Sequence, residues 1–353
     1  FKSVGGKIQL NHSTKVQIFF QMQDFQKLLK QIQAKNFAPF YLLAGAESYF
    51  IDQLVDALTD IIVDEQAAAF DHTILYGKET TVAQIIETAK RFPMMAERQL
   101  VVVKEAQYID KELESLANYL TQASPQTVLV FCWKNKAFDK RKKLYKAAQK
   151  VGVVFDSKPL YDNQVGPWLR AHAELLQLSL TPESVVVLQD FLGSDLHRIQ
   201  KALEKLKFVL PEGKTVDPAV IEYHIGISKE FNNFELQKAV GQRNFSKSLR
   251  IVDYLAQNQK QYPLVLTISS LFSYFQRLMQ YHALDNKQEA ANVLGVSPYF
   301  IKEYQEAARH YNMKKCSKAL NSIYQADLKS KGVVGNATSV EAILKQLVIE
   351  LWT

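Results

Sequence analysis

Apolar positions between residues 22 and 160 follow two alternating patterns. Stretches with helical spacing of apolar residues are interrupted by short strand-like runs, rich in β-branched and aromatic residues. There are five such runs: Phe40–Leu43, Asp71–Leu75, Leu100–Val103, Val128–Phe131 and Val151–Phe155. Because continuous apolar runs that alternate with helices are typical of parallel sheets buried on both faces, the pattern predicts an α/β domain over residues 22–160.

Beyond Pro159 the strand-like runs stop and helical spacing continues to the end of the chain. Apolar faces of bundle type predict a helical region, with helices near Trp168–Leu176, Pro182–Leu192, Asp195–Leu210, Leu264–Leu278 and Val340–Leu351. We therefore expect a small helical domain at residues 161–228 and a larger one at residues 229–353.

The composition fits this division, since 353 residues with 47% apolar content can form two or three cores. The two cysteines, Cys132 and Cys316, cannot build a disulfide framework or a multi-cysteine zinc site, which favours a reducing cytoplasm. No stretch approaches the roughly 20 apolar residues of a membrane span, and the N-terminus lacks a signal-peptide pattern. We interpret residues 1–21 as an N-terminal extension, with Met22 as a candidate natural start.

The turn after the first strand is where a nucleotide-binding domain would carry its phosphate loop. Gly45–Phe50 lacks the second glycine and the lysine of a Walker A loop, and Glu47 would repel phosphate. Gly77–Thr80 resembles the tail of such a loop but follows the wrong strand, so we interpret it as a polar turn. Lys104 and Glu105 stand where a Walker B motif would place its metal-binding Asp. The pattern predicts a nucleotide-binding architecture without catalytic parts, cofactor or metal.

The histidines are scattered, and neither a metalloprotease helix motif nor a nucleophile elbow occurs in the sequence. His72, His197 and His224 are therefore expected on ordinary faces of the fold rather than as metal ligands.

A segment with three large apolar side chains follows the helix expected over Val82–Ala89. Phe92, Met94 and Met95 stand among charged residues, at a helix end that Pro93 enforces. Methionine adapts to irregular pockets, so the cluster suits insertion into a partner. Packing between helix and strand, as a cap on the core, explains the pattern equally well.

Basic residues concentrate in residues 134–150, which hold eight Lys or Arg and one Asp, so that 35 bases and 35 acids remain in the rest of the chain. The whole formal charge of +7 therefore lies in this segment. Its candidate contacts with DNA or an acidic partner are Lys140, Arg141, Lys143 and Lys146, of which the three lysines are expected to share much of one helical face. A solvated face of a surface helix is the alternative that the pattern alone favours.

The order of these parts resembles the delta subunit family of the bacterial DNA polymerase III clamp loader. The resemblance is colinear over residues 22–353 and rests on Pro39–Ile51, Arg91–Met95, Asp139–Leu144, Gly193–Leu196, Leu203–Leu206 and Asp327–Lys331. It implies an AAA+-like α/β domain, a small helical lid and a C-terminal helical collar.

The resemblance also implies a function. Subunits of this family bind and open the ring-shaped beta sliding clamp for loading onto primed DNA, beside gamma/tau ATPase subunits and delta-prime, and do not hydrolyse ATP. The family's clamp-contacting residues map onto Phe92, Met94 and Met95, although Pro93 and the absence of a preceding glutamine depart from its pattern. A P-loop-like enzyme with a nonstandard site and a DNA-binding scaffold protein are the alternatives, and no membrane partner is expected.

Overall fold

The computed structural model describes residues 24–63, 68–109, 113–334 and 339–352. The chain forms two compact units that divide between Leu160 and Tyr161. The expected extension at residues 1–21 and Met22 lie outside the described residues. The further division of residues 161–353 into lid and collar stays a prediction.

The first unit is a five-stranded sheet with helices on both faces, in the strand order β2-β3-β4-β1-β5. All its strand pairs are parallel. Its elements are α1 (24–33), β1 (Phe40–Gly45), α2 (Ser48–Ile62), α3 (Ala68–Asp71), β2 (His72–Tyr76), α4 (Val82–Ala89), β3 (Gln99–Lys104), a 3₁₀ turn (Ala106–Tyr108), α5 (Leu113–Leu120), β4 (Thr127–Lys134), α6 (Lys143–Val151) and β5 (Val153–Ser157).

Alternate residues of the central strands point to opposite faces of the sheet, and helices cover both faces. Phe40, Leu42, Leu129 and Phe131 lie in one buried cluster with α4, α5 and α6. Helix α2 contacts β1, β3, β4 and β5. Double coverage explains why these strands carry continuous apolar runs instead of an alternating pattern.

The second unit is mostly helical. Its elements are α7 (Asp162–Leu175), β6 (Ser179–Leu180), α8 (Pro182–Leu192), α9 (Leu196–Val209), β7 (Thr215–Val216), α10 (Pro218–Ile225), α11 (Asn233–Gly241), α12 (Phe245–Gln257), α13 (Leu264–Ala283), 3₁₀ turns at Lys287–Glu289 and Pro298–Phe300, α14 (Ala290–Leu294), α15 (Ile301–His310), α16 (Met313–Ser330) and α17 (Val340–Trp352). The predicted fold class, a parallel α/β domain followed by helices, is confirmed.

Three local expectations were wrong. A two-residue parallel ladder, β6 with β7, occurs in the region where no strand was expected, because strands this short leave no periodic signal. The second strand begins at His72, since Asp71 ends α3, and the fifth begins at Val153, since α6 continues through Val151.

Gly45 is required by packing at the end of β1. Its φ is +145°, and a Cβ atom there would lie 1.8 Å from the carbonyl oxygen of Ser157. The close approach of the Ser157 backbone, rather than a bound phosphate, therefore explains the glycine that resembles the start of a phosphate loop.

We expect Gly45→Ala to lower the free energy of unfolding by about 3 kcal/mol or more, because backbone strain and an overpacked contact add. Gly213→Ala is the matched control, since Gly213 also has a positive φ but its Cβ would meet nothing within 4 Å; a loss near 1 kcal/mol is expected there. Urea denaturation of both variants measures the difference, and equal losses would contradict the packing explanation.

A candidate protein-interaction loop

Residues 90–98 connect α4 to β3 without regular structure, and we call them the apolar loop. The side chains of Phe92, Met94 and Met95 are 75%, 75% and 61% exposed. They therefore do not cap the core between α4 and β3, which was the alternative explanation of the pattern. The loop instead presents three large apolar groups to solvent.

The first end of the apolar loop is held by buried side chains. The carbonyl oxygen of Ala89 accepts hydrogen bonds from Thr127 Oγ1 at 2.9 Å, Tyr119 OH at 3.1 Å and Gln99 Nε2 at 3.4 Å. Gln99 Nε2 also donates to the carbonyl oxygen of Arg91 and, at 2.8 Å, to Thr127 Oγ1. Because carbonyls at the end of a helix lack partners within the helix, these donors fix the point at which α4 stops and the loop departs.

The second half of the loop is held by one carboxylate. Asp71 Oδ1 accepts the backbone N–H of Met94 at 2.6 Å, and Oδ2 accepts those of Met95 at 2.8 Å and Ala96 at 2.7 Å. Burial raises the pKa of Asp71, but the three N–H donors outweigh burial and hold the pKa below its ordinary value. Asp71 is therefore a carboxylate at neutral pH, and both of its oxygens accept hydrogen bonds from the loop.

Asp71 was not recognised as a site residue from the sequence. The pattern assigned it to the start of the second strand, whereas it ends α3. Its partners follow 23 to 25 residues later and are backbone groups, which carry no signature in a side-chain pattern.

The basic segment does not form the single helical face expected for Lys140, Lys143 and Lys146. Helix α6 begins only at Lys143, so Lys140 and Arg141 precede it. The reason is a turn at Asp139, whose Oδ1 accepts the N–H of Arg141 at 3.0 Å and whose carbonyl oxygen accepts that of Lys142 at 3.1 Å. Such side-chain-to-backbone bonds favour turns over helix.

Several of these cations pair with acids of their own unit. Lys140 binds Asp156 at 3.2 Å, Arg141 binds Asp139 at 2.9 Å, Lys143 binds Glu114 at 3.1 Å, and Lys134 pairs with Asp52. The hydrogen bond from Arg141 lowers the pKa of Asp139 to about 2, and the hydrogen bond to Asp156 raises the pKa of Lys140. Lys146 is exposed and forms no ion pair with a described residue. Three acids from outside the segment, Asp52, Glu114 and Asp156, thus offset part of its formal +7.

The turn after β1 is occupied by side chains of this chain. Glu47 caps α2, its Oε1 accepting the N–H of Tyr49 at 3.0 Å. Ser157 Oγ donates to the carbonyl oxygen of Glu47 at 2.6 Å and closes the turn from β5. A helix N-terminus after the first strand is where phosphate binds in nucleotide-binding domains, and here a carboxylate takes that place.

The other candidate positions have ordinary structural roles. Gly77–Thr80 is a turn in which Lys78 pairs with Glu105 at 3.6 Å and lies over the ring of Tyr108. In the described part of the chain, no three His, Cys, Asp or Glu residues converge on a possible metal position. Within the same ranges no helix is long and apolar enough to span a membrane.

Both cysteines are free and buried. Burial raises the pKa of Cys132 to about 12 and that of Cys316 to about 11, so both stay protonated and unreactive at neutral pH.

Comparison with known proteins identifies the family. The model of the DNA polymerase III delta subunit matches residues 41–158, and the model of the C-terminal domain of the same subunit matches residues 230–347. The chain belongs to the DNA polymerase III delta subunit family.

The chain is 25% identical to the DNA polymerase III subunit delta of Bacillus subtilis (strain 168) over 331 residues, which cover 90% of this chain and 95% of the relative. The solved structure of the Bacillus subtilis DNA clamp loader delta protein has a similar fold, with a TM-score of 0.53 and 23% identity over 93% of this chain and 99% of that one. The RuvB Holliday junction branch migration motor of Thermotoga maritima gives a TM-score of 0.34 and 9% identity over 82% of this chain and 87% of that one.

We expect Thr127→Val to destabilise this delta subunit by about 1–2 kcal/mol, because it removes two buried hydrogen bonds, one to the carbonyl oxygen of Ala89 and one from Gln99. Thr121→Val is the control, since Thr121 is exposed and its hydroxyl donates within a surface turn; a change within about 0.5 kcal/mol is expected. Urea denaturation compares the two variants, and equal effects would contradict the anchoring role of Thr127.

Proposed function

We propose that this chain binds the ring-shaped sliding clamp through Phe92, Met94 and Met95 and opens it for loading onto primed DNA, without hydrolysing ATP itself. Membership of the family makes the chain a clamp-loader delta subunit of the DNA polymerase III holoenzyme. Clamp binding by these three residues, clamp opening and the lack of ATPase activity are the proposed steps.

The exposure of the three apolar side chains carries the proposal. Transferring a fully exposed Phe or Met side chain into an apolar pocket is worth about 1.5–3 kcal/mol. Three such side chains at the tip of one loop supply the free energy typical of the centre of a protein–protein interface, where a few large residues dominate. A loop already anchored at both ends loses little further freedom on binding.

The occupied turn after β1 supports the absence of ATP hydrolysis. The Glu47 carboxylate at the start of α2 would repel a phosphate, and no lysine stands in the turn to neutralise one. Glu105 at the end of β3 pairs with Lys78. We therefore assign the chain no catalytic site of its own and no cofactor, and assign ATP hydrolysis to the gamma/tau partners.

The helices of residues 229–353 are the proposed assembly surface toward the gamma/tau and delta-prime subunits. The C-terminal family model lies within this range. We place the protein in the cytoplasm, where its two free thiols stay reduced.

The basic segment is proposed as an electrostatic contact with DNA or with the acidic clamp through Lys140, Arg141, Lys143 and Lys146. Ion pairs to Asp156, Asp139 and Glu114 engage the first three. Exposed pairs of this kind are worth little, so they can exchange for phosphates or carboxylates of a partner. Among these four cations, Lys146 is exposed and makes no ion pair with a described residue. A DNA-binding scaffold, the competing function, would require strong salt-dependent DNA affinity of the isolated chain.

We expect Phe92→Ala, Met94→Ala and Met95→Ala together to weaken clamp binding by at least about 100-fold, the loss of an interface centre. Assembly with the ATPase subunits should remain intact. Surface plasmon resonance with immobilised clamp measures the affinity, and size-exclusion chromatography measures assembly.

Leu175→Ala, Phe208→Ala and Met313→Ala together form the matched control, since these residues are also exposed apolar groups and lie in the second unit. This control should bind the clamp like the unmodified chain. Clamp affinity that survives the triple change in the apolar loop would refute the proposed function.

Calorimetric titration of the isolated chain with ATP and Mg²⁺ should give no heat of binding, because Glu47 fills the phosphate position. Saturable binding would favour the competing function, an enzyme with a nonstandard nucleotide site.

A further inference from the structure

The hydrogen bonds to Asp71 order the same residues that carry the exposed methionines. Three successive backbone N–H groups, from Met94 to Ala96, converge on the two carboxylate oxygens at 2.6, 2.8 and 2.7 Å. Hydrogen bonds to a charged acceptor are stronger than those between neutral groups. The backbone of the methionine pair is therefore fixed by a residue whose own side chain is only 5% exposed.

Fixing the backbone also fixes the direction of the side chains. With its amides bound inward, the segment leaves the Met94 and Met95 side chains 75% and 61% exposed. A loop without these bonds would sample other backbone conformations and would have to give up that freedom on binding.

We propose that Asp71 is a positioning residue that pre-orders the apolar loop for clamp binding. The inference rests on the proposed function, since it concerns the same loop and the same partner. Asp71 acts through the backbone of residues 94–96 and need not touch the clamp.

The geometry requires a carboxylate rather than any polar side chain. Oδ1 accepts one N–H and Oδ2 accepts two. Asparagine keeps one acceptor oxygen and places an NH₂ donor against a remaining N–H. Alanine removes every acceptor. Asp71→Asn therefore removes some of the hydrogen bonds that hold the loop, and Asp71→Ala removes all of them.

The test compares the unmodified chain with Asp71→Asn and Asp71→Ala by clamp affinity and by hydrogen exchange of the backbone amides. Asp71→Ala is expected to weaken clamp binding by about tenfold or more, with Asp71→Asn in between. The amides of Met94, Met95 and Ala96 should lose protection in the same order, while those of β3 and β4 keep theirs. If Asp71→Ala does not fold, clamp affinity and hydrogen exchange of Asp71→Asn test the positioning role.

Asp217→Ala is the matched control. Asp217 also accepts a backbone N–H, that of Val220 at 2.9 Å, but at the start of α10 in the second unit. This variant should bind the clamp normally.

A coupling measurement separates positioning from general destabilisation. In a background with Met94→Ala and Met95→Ala, adding Asp71→Ala should weaken the remaining affinity by less than about twofold, because the side chains that Asp71 positions are already absent. An equal tenfold loss in both backgrounds would overturn the positioning role.

Different experimental results would overturn the positioning role and the proposed function. If the triple alanine change in the apolar loop weakens clamp binding but neither Asp71 variant does, the positioning role is overturned and the proposed function stands. If neither kind of change alters the affinity, both are overturned. Loss of exchange protection throughout the first unit in Asp71→Asn would also overturn the positioning role.

Discussion

The nine-residue apolar loop is held at its start through the carbonyl oxygen of Ala89 and in its second half through the carboxylate of Asp71. A connection that leaves a helix, turns and enters a central strand must find partners for its backbone polar groups. In this chain buried side chains supply them: Thr127, Tyr119 and Gln99 at one end and Asp71 at the other. Because the backbone is satisfied from inside, the apolar side chains of the loop are left facing outward. The proposed function depends on this arrangement, in which the loop backbone is bonded inward and its apolar side chains face solvent.

The same fold shows what the chain has in place of a nucleotide site. Gly45 permits the ends of β1 and β5 to approach closely, Glu47 caps α2, and Ser157 closes the turn. These three residues stand where a phosphate loop would lie, and each serves internal structure instead. The sheet and its helices act as a scaffold. On our proposal the functional residues lie in the apolar loop after α4, which binds the clamp.

Much of the fold could be predicted from the sequence, because its signals are local. Continuous apolar runs predicted the five parallel strands, and the helix at Pro182–Leu192 was predicted with its observed bounds. The prediction that Lys140 and Lys143 share a helical face was wrong, because a turn at Asp139 precedes α6, which begins only at Lys143. The β6–β7 ladder was missed, because two-residue strands have no period.

The candidate site was also predicted only in part from the sequence. Phe92, Met94 and Met95 stood out in the sequence, since they are three large apolar residues among charges at a helix end that Pro93 enforces. Whether they pack or protrude depends on tertiary contacts that no local pattern carries. Asp71 could not be found, because its partners are backbone amides far along the chain. The ion pairs of the basic segment join residues from α2, α5 and β5, so only the fold shows how much of its charge is offset.

Oxidative footprinting of the methionines, with and without the sliding clamp, tests the central claim most directly. Hydroxyl radicals convert exposed methionine to its sulfoxide, and Met313, 41% exposed in the second unit, serves as an internal reference. At saturating clamp we predict that oxidation of Met94 and Met95 falls by about fivefold or more, as expected for side chains buried in an interface, while Met313 is oxidised at an unchanged rate. Unchanged oxidation of Met94 and Met95 in the complex would contradict the claim that this loop enters the clamp.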